Sequence, residues 1–186
     1  MLTAVCQRCA VGERVCGDDW AVVQAGAAWL LAVIDGLGHG PQAQHAAALA
    51  RQALQRSPDL PLDQLVGEMG RALKSSRGAC VGLARVDPET RKLSCVIVGN
   101  VEIAGDGHVR PVPSPGIVGR EIRKLRVFEG PFARGDRLYL YSDGISRKVQ
   151  LTKYRALVPQ QAANAVVREF GQSHDDATCL VAELVP

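Results

Sequence analysis

Apolar residues follow two rhythms along this chain, and the switches between them mark its elements. Segments 19–25 and 28–34 are apolar runs separated only by Gly26 and Ala27, the pattern of a β-hairpin. Segment 2–9 alternates weakly and predicts an edge strand. From residue 41 the period becomes helical. Ala43, Ala46, Ala47, Ala50 and Leu54 recur at helical spacing and Pro41 suits a first helical turn, so a helix is expected over 41–56. Pro58 and Pro61 punctuate the next start, and Leu62, Leu65, Val66, Met69 and Leu73 predict a second helix over 62–75.

After Gly78 the period turns extended. Strands are expected over 80–86 and 93–98, joined by the turn Asp87-Pro88-Glu89-Thr90. Gly99-Asn100 and Asp106-Gly107 mark further turns. Strands follow at 122–128 and 137–141 around a loop at 130–136, then a helix at 159–170 and a last strand at 178–184. Many short antiparallel strands, with helices segregated in sequence, predict an α+β layered sandwich. Periodicity carries the fold no further.

Composition narrows the class without naming a function. A chain of 186 residues fits one domain spanning 1–186. With 47% hydrophobic and 22% charged residues it is not a disordered chain. The net charge is only +3 and aromatics are 4%, which argues against a nucleic-acid partner. The longest apolar run, Ala25 to Ile34, is too short to cross a bilayer and ends at Asp35, so no membrane span is expected. The N-terminus shows no export signal. The six cysteines are therefore expected as reduced thiols in a cytoplasmic protein.

The acids are placed less ordinarily. Gly17-Asp18-Asp19, Asp35-Gly36, Asp143-Gly144 and Asp175-Asp176 all stand at ends of predicted strands. Asp35 and Asp143 terminate strongly apolar ones. Taken singly, each pair reads as a turn or a helix cap. Four such spots together point to a site where converging carboxylates are neutralised by cations. Oxygen donors suit hard ions, Mg²⁺ or Mn²⁺.

In order, Arg14-Val15-Cys16-Gly17-Asp18-Asp19, Val33-Ile34-Asp35-Gly36-Leu37-Gly38-His39-Gly40, Tyr141-Ser142-Asp143-Gly144-Ile145 and His174-Asp175-Asp176-Ala177-Thr178 resemble the metal-dependent type 2C (PPM) serine/threonine phosphatases. The short form Asp-Gly-x-Gly-His-Gly is similar to their bacterial SpoIIE/RsbU/RsbX branch. The resemblance implies a four-layer α-β-β-α sandwich of two antiparallel sheets. It implies two Mn²⁺ or Mg²⁺ ions at one edge. Asp35 would bridge the ions, the Gly36 carbonyl would bind one, Asp18 would serve the second, and Asp143 and Asp175 the first. Asp19 and Asp176 would hold metal-bound water or a third ion, or buttress the ligands.

The same resemblance implies hydrolysis of phosphoserine or phosphothreonine by a metal-activated water. Arg14 would hold the phosphate, unless it is simply a solvated residue. His39 would protonate the leaving oxygen, unless it only packs at the helix start beside Pro41. His174 would steady Asp175. The implied substrate is a phosphorylated STAS-domain regulator of a bacterial stress-signalling module, met by a monomer. A weakly catalytic phosphoprotein-binding regulator and a small-molecule phosphomonoesterase on the same fold are the alternatives.

Other signals carry less. Cys6-Gln-Arg-Cys9 is half a zinc motif without its second half. Gly36, Gly38 and Gly40 mimic a nucleotide loop but lack the Gly-x-Gly-x-x-Gly spacing. Asp106-Gly107-His108 has no motif context. Trp20 and Trp29 are expected to pack in the core or across strands. Arg120, Arg123, Lys124 and Arg126 form either a solvated strand face or a dock for an acidic partner. The proline-rich loop 111–119 sits where larger relatives carry a flap, and is too short for a subdomain.

Overall fold

Leu30, Leu31, Ala32, Val33 and Ile34 are all completely shielded from solvent, as a central strand covered on both faces must be. They belong to β3 in a computed structural model that describes residues 1–105 and 109–185. The strands are β1 (Leu2–Arg8), β2 (Asp18–Ala25), β3 (Ala28–Gly36), β4 (Ala79–Asp87), β5 (Lys92–Val98), β6 (Glu102–Gly105), β7 (Val127–Pro131), β8 (Arg137–Tyr141) and β9 (Ala177–Glu183). The helices are α1 (Pro41–Arg56), α2 (Leu62–Ala72) and α3 (Pro159–Phe170).

One sheet has the order β1-β9-β8-β6 and the other β2-β3-β4-β5-β7, every pairing antiparallel. The sheets pack face to face around Leu31, Val33, Ile97, Leu140 and Leu180. Helices α1 and α2 cover the outside of the five-stranded sheet through Ala46, Ala50, Leu65 and Met69. Helix α3 covers the four-stranded sheet through Ala162, Ala163 and Val166. This is the four-layer α-β-β-α sandwich. Among the described residues, no helix is long and apolar enough to cross a membrane.

Small residues bring α1 unusually close to the sheet. A Cβ on Gly36 would lie 2.1 Å from the Ala43 carbonyl oxygen, and one on Gly17 would lie 2.8 Å from the Ala43 Cβ. Alanine spacing along α1 thus does more than predict a helix. It seats the helix start against the ends of β2 and β3, where the acids are.

Three expectations need correction. The strand expected over 122–128 lies at Val127–Pro131. Ile122 and Leu125 pack instead on the core beneath α1 and α2, while Arg123, Lys124 and Arg126 face solvent. This stretch is laced to the sheet through buried Ser114, whose amide donates to the Ile97 carbonyl and whose Oγ accepts from the Arg126 amide. Second, β6 between the two expected turns escaped the pattern, being four residues long and held only by β8. Third, of the two places expected for Trp20 the core is excluded: it is 37% exposed, opposite Val33 in the ladder. Asp106-Gly107-His108 lies outside the described residues.

Candidate active site

Strand register places the first two acids. Asp18 and Asp35 are direct partners across the β2–β3 pair. Asp143 lies two residues past the end of β8, and Asp175 two residues before the start of β9. Because β8 and β9 are hydrogen-bonded neighbours, both acids leave their sheet at the same end. The two sheet ends meet there. The Ser142 hydroxyl, at the end of β8, donates to Asp18 Oδ2 at 2.6 Å. It also accepts from the Thr178 amide at 3.0 Å, which fixes its direction.

Burial and mutual repulsion make these carboxylates poor at carrying charge alone. Asp18 is 5% exposed, and desolvation raises its pKa to about 7, against the lowering effect of the Ser142 and Thr178 hydrogen bonds. Asp35 is pushed up to about 9, first by desolvation and then by the charges of Asp18, Asp143 and Asp175. Asp175 is raised by desolvation and by Asp143. The charge of Asp143 and a side-chain hydrogen bond from it add to the rise at Asp35. Like charges gathered in this way ask for a cation.

The surroundings also fit one. Every donor in the cluster is a carboxylate, an amide or a hydroxyl oxygen, the set that hard divalent ions prefer. Asn100 Nδ2 donates to Asp143 Oδ2 at 2.5 Å, while Asn100 Oδ1 is buried with no protein partner. That leaves one oxygen donor beside the acids for a bound ion or its water. Gln172 Nε2 donates to the Asp143 carbonyl at 3.0 Å, and its own amide donates to the Gly144 carbonyl at 2.8 Å. The residue after Asp35, Gly36, donates its amide to the Gly17 carbonyl at 3.1 Å.

The remaining expected residues divide. Asp19 points away from the cluster, as strand alternation requires of a neighbour of Asp18. It pairs with Arg51 of α1 at 2.9 Å. Asp176 is buried and ties down the β1–β2 loop: Oδ1 accepts from the Ala10 amide at 2.9 Å and Oδ2 from the Gly17 amide at 2.8 Å. His39 is two-thirds exposed, and its Nδ1 lies 2.5 Å from Glu13 Oε1. Glu13 stands next to Arg14, itself exposed, so the β1–β2 loop and the loop after β3 are joined at the surface. His174 is exposed beside Asp175.

Sequence reading quoted Ser142 within the Tyr141–Ile145 motif but gave it no role, missed Gln172, and took Asn100 only as part of a turn. Polar residues in turns are common, so nothing in their spacing marked them. It missed Arg77 as well. A Cβ on Gly38 would lie 2.8 Å from Arg77 Nη1, which places this guanidinium against the loop that follows Asp35. Beside it a cleft of about 490 Å³ is lined by Pro41, His45, Ser75, Ser76, Arg77 and Arg120.

The raised carboxyls give a pH dependence with a definite sign. Asp18 and Asp35 bind protons more tightly folded than unfolded, where the ordinary value is 3.8. In the metal-free protein this contribution to stability is full below about pH 4 and lost as pH rises through about 7 and then 9. Melting in a chelator is expected to weaken across that range by several kcal/mol. Added Mn²⁺ or Mg²⁺ should raise the midpoint more at pH 8 than at pH 6 (both about). A chelated midpoint that climbs steadily with pH would contradict this.

The profile of the family Stage II sporulation protein E (SpoIIE) matches residues 25–185. Phosphoserine phosphatase RsbX of Bacillus subtilis (strain 168) is 22% identical over 181 residues, covering 93% of this chain and 89% of RsbX. A chain from the bacterial stressosome, described as a modular system adapted to control secondary messenger signaling, superposes with a TM-score of 0.92 at 30% identity. That match covers 97% of this chain and 98% of the other. RsbX in complex with magnesium superposes with a TM-score of 0.86 at 21% identity, covering 98% and 94%. With the acids at the shared edge of two sheets and the profile spanning most of its length, the chain belongs to the SpoIIE family and has the fold of the PPM phosphatases.

Proposed function

We propose that this chain is a protein serine/threonine phosphatase that depends on divalent metal. The observation that carries the reading is the convergence of Asp18, Asp35, Asp143 and Asp175, from ends of both sheets, into one cluster in which Asp18 is buried and the other three are half-buried. With the Gly36 carbonyl they would hold two ions, Mn²⁺ or Mg²⁺. Such a pair, when bound, supplies Lewis acidity toward water and the phosphoryl oxygens.

The chain's own residues supply the rest. Ser142 and Asn100 orient Asp18 and Asp143. Arg14, on the loop anchored by Asp176, offers a planar fork to the phosphoryl oxygens. His39 donates a proton to the departing serine or threonine oxygen. Glu13 accepts from its Nδ1–H, so Nε2 has a proton to give only when the ring is imidazolium, and after the transfer the neutral ring keeps its remaining proton on Nδ1. Asp19 acts through Arg51, keeping β2 against α1.

The substrate side follows from the relatives and the surface. RsbX is a phosphoserine phosphatase and another relative comes from a stressosome, so the substrate proposed here is a phosphorylated STAS-domain regulator. Arg77 and Arg120, joined by an Arg120 Nε to Arg77 carbonyl bond of 3.0 Å, border the cleft beside the catalytic loop and suit an acidic protein surface. The protein would act in the cytoplasm as a monomer, which its six free cysteines suit.

The test compares a phosphorylated STAS protein, a phosphoserine peptide and an aryl phosphate, each with and without Mn²⁺. Metal-dependent release of phosphate from the protein, at a higher kcat/KM than from the aryl ester, is expected. Metal-independent or absent hydrolysis of all three would defeat the reading. Preference for the aryl ester would point to small molecules instead. Arg77→Glu should raise KM for the phosphoprotein about tenfold more than KM for the aryl phosphate.

A further inference from the structure

A second cluster of metal-ligating atoms lies on the β1–β2 loop, outside the group of four acids. Cys9 Sγ, Cys16 Sγ and a carboxylate oxygen of Asp176 all lie within 4.8 Å of one another. The half-motif Cys6-Gln-Arg-Cys9 pointed to the wrong pair. Cys6 sits within β1, opposite Cys179 in the ladder, and Cys9 lies just past the end of that strand.

The loop is built to present these two thiols together. Ala10 follows Cys9 and Gly17 follows Cys16, and the amides of Ala10 and Gly17 donate to the two oxygens of the same Asp176. One carboxylate therefore closes the loop at both ends and turns both cysteines toward itself. A turn bond from the Glu13 amide to the Ala10 carbonyl, 3.1 Å, and one from the Val11 amide to the Ser173 carbonyl, 2.8 Å, hold the path between. Asp176 is only 3% exposed, and its bonded partners are neutral, two amides and the Cys16 thiol. Carboxylates oriented by backbone hydrogen bonds are the usual form of a preset metal ligand.

We propose that Cys9, Cys16 and Asp176 form a binding site for a soft divalent cation of the zinc class. Two sulfurs and one oxygen suit a tetrahedral ion with water as its fourth ligand, and are a poor match for Mg²⁺. Binding replaces the two thiol protons with two metal–sulfur bonds, and both protons pass to solvent. The ion would pin the loop that carries Glu13 and Arg14 and whose Gly17 carbonyl accepts from Gly36. It is a structural clamp beside the oxygen-donor site, and it stands whether or not that site hydrolyses phosphate.

The experiment uses reduced full-length protein saturated with Mg²⁺. Co²⁺ is titrated as the optical probe and Zn²⁺ as its competitor. A thiolate-to-cobalt charge-transfer band is expected in the wild type and in Asp35→Asn, abolished in Cys9→Ser and Cys16→Ser and bleached by Zn²⁺. Zn²⁺ at a hundredfold excess over its Kd should raise the melting midpoint by about 5–10 °C. In the unaltered protein, Zn²⁺ should slow alkylation of Cys9 and Cys16 at least tenfold relative to Cys6, read by mass spectrometry. That measurement needs no variant to fold. Absence of the band, its survival in both serine variants, or alkylation of Cys9 and Cys16 unaffected by Zn²⁺ would overturn the proposal. So would closure of the pair to a disulfide with no metal taken up.

Discussion

Asp35→Asn is expected to lower metal-dependent hydrolysis of phosphoserine by about a thousandfold, a barrier increase of several kcal/mol. The carboxylate it removes is the most strongly perturbed of the four acids, held between Asp18, its register partner, and Asp143. Asparagine keeps the shape and loses the charge that would draw an ion. The same change should leave the metal-free fold as stable as the wild type at neutral pH, or more so, because asparagine is neutral without the proton that Asp35 must take up on folding. Kinetics with Mn²⁺, and melting in a chelator, measure the two effects separately. Retained activity would remove Asp35 from the mechanism. Lost activity with a collapsed melting curve would show that its role is structural.

Gly144→Ala should produce the largest loss of stability, about 3–5 kcal/mol in urea unfolding. A Cβ there would lie 1.9 Å from the Asp176 carbonyl oxygen and 3.2 Å from the Ala177 Cα. Both neighbours are backbone at the start of β9, so no flexible side chain can yield. The clash would force Asp143 away from Asp175, and activity should fall even where the protein stays folded. Gly12→Ala is the control. Gly12 has φ +96 but nothing within 4 Å of its virtual Cβ, so only the cost of left-handed backbone is expected, about 1–2 kcal/mol. Equal losses for the two variants would refute the packing argument.

Some elements were fully legible because their pattern is local. Helices α1 and α3 begin and end where alanine spacing, Pro41 and Pro159 put them. The β2–β3 hairpin and the β4–β5 pair follow from apolar runs broken by turn residues. What failed was the region with mixed character. Residues 122–126 alternate like a strand, yet their apolar members pack beneath helices and their basic members stay in water. The exposure of Trp20 had the same origin. By alternation it lies on the Asp18 and Val22 face of β2, but β2 is an edge strand of its sheet, and the side chain stays exposed there.

The acids divide along the same line. Their positions at strand ends beside glycine are sequence facts, and four in order were enough to suggest a site. Which acid does what is a tertiary fact. Asp18 and Asp19 are adjacent, yet strand alternation sends one into the cluster and the other to Arg51. Asp175 and Asp176 are adjacent, yet a loop more than 150 residues earlier in the chain takes both oxygens of Asp176.

By itself, then, the sequence determined the layered α+β class, most strand and helix limits and the family resemblance, because periodicity and motif order are written along one dimension. Only the tertiary structure decided that Ser142 and Asn100 hold the acids, that Arg77 lies against the loop that follows Asp35, and that Cys16 rather than Cys6 meets Cys9. Each of these depends on segments far apart in the chain arriving at one edge, and register and layer packing, not spacing, set where they meet.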